Sequence, residues 1–363
     1  MAVTVSRRAM EPIEIFAGQQ AYRHIAQSGI RPTDIRAIIG ASGGPKWFVL
    51  SHLDRYLMQN WLPAIPHQLE LIGSSIGAWR MAAYASAAPM AALEQLESQY
   101  LNQRYSARPS HQEISQSIRQ LLDSFIQPND LDQHQLKKLH IVAARCKGLS
   151  QLKQPSIQGL AFAAVAVGNL VSRRSLPRSF DRVIFQSPGG QLPVAQWDHF
   201  RTHQVPLNRA NYRDALLASG AIPIVIEGVR DPVGAPRGLY RDGGMVDYHF
   251  DLPFKPEQGL VLYPHFSPLL KPGWFDKPLP WRKVHASNYS HTLMISPSRE
   301  FVASLPYGKI PDRRDFERLD NDSRIRYWQT VVDRNQAIAE AFDRWVHSAN
   351  PLDQVIPIET LTR

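Results

Sequence analysis

The stretch from Leu69 to Trp79 constrains this chain more than any other. The apolar run Leu69-Glu70-Leu71-Ile72 passes through Gly73-Ser74-Ser75-Ile76-Gly77 into a segment rich in Ala and Met. Strand, Gly-x-Ser-x-Gly and helix together form the layout of a nucleophile elbow. In such an elbow the turn is so sharp that the central serine stands exposed at a strained apex. Gly73 and Gly77 suit the turn because a side chain at either place would meet neighbouring backbone. Ser75 would then sit at a helix N-terminus, where free N–H groups and the helix dipole favour negative charge.

A second glycine turn precedes it. Ile35 to Gly40 reads as a strand, followed by Ala41-Ser42-Gly43-Gly44-Pro45-Lys46-Trp47 and a helix from Phe48 to about Gln59. Consecutive small residues leave N–H groups bare and able to converge on an anion. Gly43 and Gly44 are the candidate donors to a tetrahedral oxyanion. Pro45 has no N–H and suits a first helical turn instead. Lys46 places a cation beside such a site. The Walker spacing is absent, and so is the third glycine of a dinucleotide-binding turn.

A third segment is Ala218-Ser219-Gly220-Ala221-Ile222-Pro223, followed later by Tyr240-Arg241-Asp242-Gly243-Gly244. Taken alone, Asp242-Gly243 is a strong turn signal. After a strand, the same residues also make an apex that can aim a carboxylate at another site.

The three segments in this order resemble the patatin-like phospholipase family. The resemblance runs over roughly residues 33–255 and rests on Ser42-Gly43-Gly44-Pro45-Lys46, Gly73-Ser74-Ser75-Ile76-Gly77 and Asp242-Gly243-Gly244. Ala218 to Pro223, and Asp247 followed by Leu252-Pro253, are similar to further stretches of that family. Ser42 stands where the family usually has its first glycine. Trp47 replaces a residue that is commonly small, which puts the entrance to the acyl pocket in question.

The resemblance implies an α/β fold: a three-layer α/β/α sandwich with a mainly parallel central sheet. It implies a catalytic Ser75–Asp242 dyad acting on lipid or other acyl esters through an acyl-enzyme. Gly43 and Gly44 would hold the oxyanion, Lys46 would contact an anionic headgroup, and no metal or cofactor would be needed. The organisation expected is an N-terminal helical segment at 1–32, a catalytic domain at 33–255 and a C-terminal extension at 256–363 packed on it.

Two alternatives accompany this expectation. An α/β-hydrolase triad would need a histidine beyond the acid, and His249, His265, His285 and His291 are the candidates. A lipid- or acyl-binding protein on the same fold, without turnover, is the other.

Composition sets the remaining bounds. With 41 basic and 32 acidic residues the chain carries a net charge of +9, which favours anionic partners such as headgroups. No nucleic-acid-binding signature accompanies that charge, and no nucleic-acid partner is expected. Short runs such as Arg173-Arg174 and Arg313-Arg314 read as solvated faces. Cys146 is the only cysteine, so an internal disulfide or a multi-cysteine zinc site is excluded. A buried thiol in a reducing compartment is the expectation. Arg7 and Arg8 are not followed by the apolar core of a signal peptide, because Glu11, Pro12 and Glu14 intervene. The location expected is cytoplasmic, with peripheral contact to an anionic membrane surface.

Residues 159–171 form the longest apolar stretch, too short to span a bilayer, and read as a buried helix, with a helix beside the acyl site as the other reading. Residues 264–283 mix prolines with Trp274, Phe275, Trp281, Arg282 and Lys283, and read as a rigid segment packed on the domain, with an interfacial loop as the other reading. Helices are expected at 15–28, 76–87, 89–105, 110–126 and, long or broken, at 313–347. Strands are expected at 35–40, 68–73, 139–145, 182–187, 222–228, 259–263 and 292–296.

Overall fold

Alternating apolar runs and helical stretches build an α/β protein, its described residues arranged around one eleven-stranded sheet. The computed structural model describes residues 11–127, 129–133, 136–151 and 155–362; Arg7 and Arg8 lie outside them. The strands are β1 (Ile13–Ala17), β2 (Ile35–Gly40), β3 (Leu69–Ser74), β4 (Lys137–Cys146), β5 (Phe180–Gln186), β6 (Thr202–Pro206), β7 (Val229–Arg230), β8 (Leu239–Asp242), β9 (Leu260–Pro264), β10 (Thr292–Pro297) and β11 (Val355–Pro357). They run in the order β11-β1-β10-β9-β2-β3-β4-β5-β6, with β8 on β4 and β7 on β8.

The centre of the sheet, β10-β9-β2-β3-β4, is wholly parallel. All of β3 and β9 is buried, the pattern of strands covered on both faces. Antiparallel pairs stand at its flanks: β1 with β10, and β4 with β5 and β8. The helix Ile76–Ala85 is buried along its whole length and packs on β3 and β4. A second helix, Tyr212–Gly220, lies against β4 and β8.

The segments on either side of 33–255 belong to the same sheet. Residues 13–17 supply β1, and residues 260–357 supply β9, β10 and β11. β9 is bonded to β2 on one edge and β10 on the other. The C-terminal helices Asn321–Arg334 and Gln336–Val346 bury Trp328, Val332, Ile338, Phe342 and Trp345, the face marked by their helical spacing. Ile325 is only partly buried.

Three local expectations are corrected. The helix expected from residue 15 begins at Gln19, because Ile13 to Ala17 alternates well enough to pair with both β10 and β11. No strand forms over 222–228, since Pro223 and Gly228 break the run; the strands there are β7 and β8. The apolar helix spans Pro155–Val171 and is not buried all round: Leu160, Val167, Leu170 and Val171 are exposed while Ala161 and Phe162 face inward. Among the described residues, no helix is long and apolar enough to cross a membrane.

Candidate active site

Register on β4 brings the candidate site together. β3 pairs with β4 as far as Ser74 opposite Val142. β8 comes from the other direction along the same edge and ends with Asp242 opposite Ala143. The two strands therefore meet end to end, and the residues that follow them, Ser75 and Gly243, turn away at the junction. Close approach is enforced here. A Cβ on Gly243 would lie 2.2 Å from the Val142 carbonyl oxygen and 2.8 Å from Ser74 Oγ.

The elbow has the expected geometry. Ser75 adopts φ 56°, ψ −130° and caps the helix Ile76–Ala85. That backbone region is costly for a residue with a Cβ and persists only where the surroundings impose it. The imposition is visible in contacts between glycines. A Cβ on Gly77 would stand 1.9 Å from Gly40 O, and one on Gly73 would stand 2.4 Å from Ala78 N. β2, β3 and the helix thus touch backbone to backbone.

Ser75 Oγ donates to Asp242 Oδ2 at 2.7 Å. The other carboxylate oxygen accepts from the Gly244 amide at 2.7 Å, and the Asp242 amide donates to Ala221 O. Burial raises the Asp242 carboxyl to about 6, against the opposing pull of the Ser75 and Gly244 hydrogen bonds and of Arg313 and Lys277. Both side chains are nearly closed off from solvent. A hydroxyl bonded to a carboxylate of raised pKa is poised to give up its proton near neutral pH.

Two serines fix the surroundings. Ser219 Oγ accepts the Ser75 amide at 2.9 Å and donates to Val142 O, so the run Ala218 to Pro223 holds both Ser75 and Asp242. Ser42 Oγ lies 2.9 Å from Ser74 Oγ and 3.1 Å from Ser74 O, and its amide donates to Tyr248 O. The hydroxyl that stands in place of a glycine therefore ties the Gly43-Gly44 loop to the elbow. Neither role is legible from sequence spacing, since small serines beside glycines look like ordinary turn residues.

Gly43 and Gly44 line the same cleft as Ser75 and Asp242, which has a volume of about 400 Å³. Gly44 has φ +58°, and the Phe266 ring lies against Gly43. Lys46 also lines the cleft, over the Phe266 ring, with its ammonium pKa lowered chiefly by burial. Trp47 is fully buried and packs against Phe48. It does not line the cleft, because the short helix after Gly44 turns its side chain into the core.

The sequence reading missed Lys277, Arg313 and Arg314, all of which line the cleft. Arg314 is exposed, as a solvated face requires, and Arg313 is partly buried, yet both also face the cleft. With Lys46 they make four cations that form no ion pair among the described residues. The acidic Asp312 in the same wall is already paired with Lys309, and Glu317 completes the lining. Lys277 lies over the Tyr248 ring and is lowered to about 8 by burial, reinforced by Lys46 and Arg313.

No described histidine is hydrogen-bonded to Ser75 Oγ or Asp242. His249 is buried, accepts from the Lys271 amide and is held neutral by burial and by His265. His265 is lowered to about 3 by burial. His285 is exposed, and His291 lies in a separate polar pocket with Arg23 and His24. Cys146 is buried on β4, its thiol pushed up to about 12 by burial. Among the described residues, no group of His, Cys, Asp and Glu could hold a metal ion.

No family model matches the chain, and no curated protein matches it.

Proposed function

We propose that the protein is a serine acyl-ester hydrolase of patatin-like, three-layer α/β/α type, working through Ser75 and Asp242. The 2.7 Å hydrogen bond between Ser75 Oγ and a buried carboxylate at a strained strand–helix turn carries the reading. In the forward step Ser75 Oγ attacks the ester carbonyl carbon while Asp242 Oδ2 takes its proton. The oxyanion forms beside the amides of Gly43 and Gly44, with Ile76 at the helix N-terminus as a further donor. Collapse breaks the ester C–O bond, and Asp242 returns the proton to the leaving alcohol. Water then attacks the acyl-enzyme, giving a proton to Asp242; collapse breaks the acyl C–Oγ bond, Asp242 returns the proton to Ser75 Oγ, and a carboxylic acid is released.

The unpaired cations of the cleft favour an ester that carries an anionic group, such as a phospholipid. Lys46, Lys277, Arg313 and Arg314 would meet a phosphate at the mouth while the carbonyl lies at Ser75. No cofactor enters this scheme, and cytoplasmic placement remains part of the proposal.

The deciding experiment compares wild type with Ser75→Ala and Asp242→Asn on a short-chain p-nitrophenyl ester and on a phospholipid panel. Both variants should lose activity by about 10³-fold or more with folding intact. Activity surviving in Ser75→Ala would overturn the assignment. A wild type that hydrolyses nothing and fails to react with a fluorophosphonate probe would favour an acyl-binding protein instead.

A further inference from the structure

The helix Pro155–Val171 contains no charged residue. Leu160, Ala163, Ala164, Val167, Leu170 and Val171 recur at helical spacing on one face, and every one is exposed. Leu160 is 73% exposed and Val171 88%. Leaving so continuous an apolar stripe in water is unfavourable, and in a folded protein it marks a contact surface. The opposite face is built in. Phe162 stacks on Phe180 and meets Phe275 at a tilt, and Asn169 Nδ2 donates to Asp276 Oδ1 at 2.8 Å.

The rim of the stripe is cationic. The residues that follow, Ser172 to Arg178, hold three arginines and no acid. Arg173 turns inward to Asp276, while Arg174 and Arg178 are exposed. Arg282 donates to the Asn169 carbonyl in the last turn of the helix. Its chain neighbours Trp281 and Lys283 are exposed. Aromatic and basic groups at the edge of an apolar helix face suit the headgroup region of an anionic bilayer. A second copy of this chain suits it less, since each copy carries +9. The buried face of the helix leads towards the cleft: Phe162 meets Phe275, which packs edge-on against Trp274, and Trp274 lines the cavity at Ser75.

We infer that the exposed face of helix Pro155–Val171, with Trp281 and the arginine rim, is a docking surface for an anionic lipid bilayer. Docking there does not require that Ser75 turn over.

The test is co-sedimentation of the full-length protein with vesicles of phosphatidylcholine alone and of equal parts phosphatidylcholine and phosphatidylserine. Wild type should bind the mixed vesicles more tightly. Val167→Asp and Leu170→Asp should each weaken that binding about tenfold or more. Arg174→Glu with Arg178→Glu should weaken it towards the phosphatidylcholine level. None of these changes touches Ser75 or Asp242, so hydrolysis of a soluble ester, where present, should be unchanged and circular dichroism should match wild type. Wild-type binding that is absent, indifferent to phosphatidylserine or unaffected by Val167→Asp would overturn the inference. So would a solution dimer that Val167→Asp splits, which would assign the face to self-association.

Discussion

Ser75 and Asp242 show how environment shifts the acid–base character of an ordinary side chain. An exposed aspartate is ionised well below pH 5 and is a weak base. Burial raises Asp242 to about 6, and the pH behaviour follows from that direction. Turnover through this pair needs the carboxylate, so kcat/KM should rise with pH through an apparent pKa near 6; a steady-state profile on a neutral soluble ester checks this. Stability should run the other way. A folded-state pKa above the unfolded one means that the protonated form is favoured in the fold, so the contribution is full below the unfolded pKa and is lost as pH rises through about 6. Asp242→Asn should therefore unfold at higher temperature than wild type at pH 8, by roughly 1–3 kcal/mol, with the advantage vanishing below about pH 4. Lys277, lowered to about 8, gives a separate signature. Above that pH, KM for phosphate-bearing esters should rise while KM for a neutral ester stays flat. Arg313→Gln should produce the same selective rise at neutral pH, by about tenfold.

At the scale of elements, the elbow depends on backbones that touch. Gly77 and Gly40 leave no room for a Cβ, the nearest atom standing at 1.9 Å. Gly77→Ala should accordingly cost several kcal/mol, in the range of severe core substitutions, measured by denaturant unfolding. Gly29→Ala makes an instructive contrast. Nothing lies near that Cβ, yet φ is +69° and ψ −151°, a region kept almost wholly to glycine, so its cost is conformational and should be about 1–3 kcal/mol. The elbow, its strand and its helix were legible in sequence because glycine, serine and apolar spacing carry local rules. The helix Pro155–Val171 was legible as a helix, but its exposure was not. Composition records how apolar a segment is, whereas which face meets a neighbour depends on Phe180, Phe275 and Asp276 arriving from elsewhere.

Over the whole molecule, the sheet decides where the functional unit ends. β9 lies between β10 and β2, and Lys277, Arg313 and Arg314 come from beyond residue 255. A fragment of residues 33–255 would leave β2 with an exposed hydrogen-bonding edge and the core without Trp328, Phe342 and Trp345. It should be insoluble or lack near-ultraviolet circular dichroism, while the full chain gives one cooperative transition. The amino-acid sequence by itself determined the α/β class, the two strand–glycine–helix turns, and the identities of Ser75, Gly43, Gly44, Lys46 and Asp242 as candidates. These rest on periodicity and on residues whose backbone preferences act within a few positions. Only the tertiary structure decided that Asp242 meets Ser75, that Ser42 and Ser219 hold the loop and the elbow, and that cations from beyond residue 255 face the same cleft. Each of those is a meeting of residues far apart in the chain, set by register on β4 and by the packing of the sheet, and no local rule encodes it.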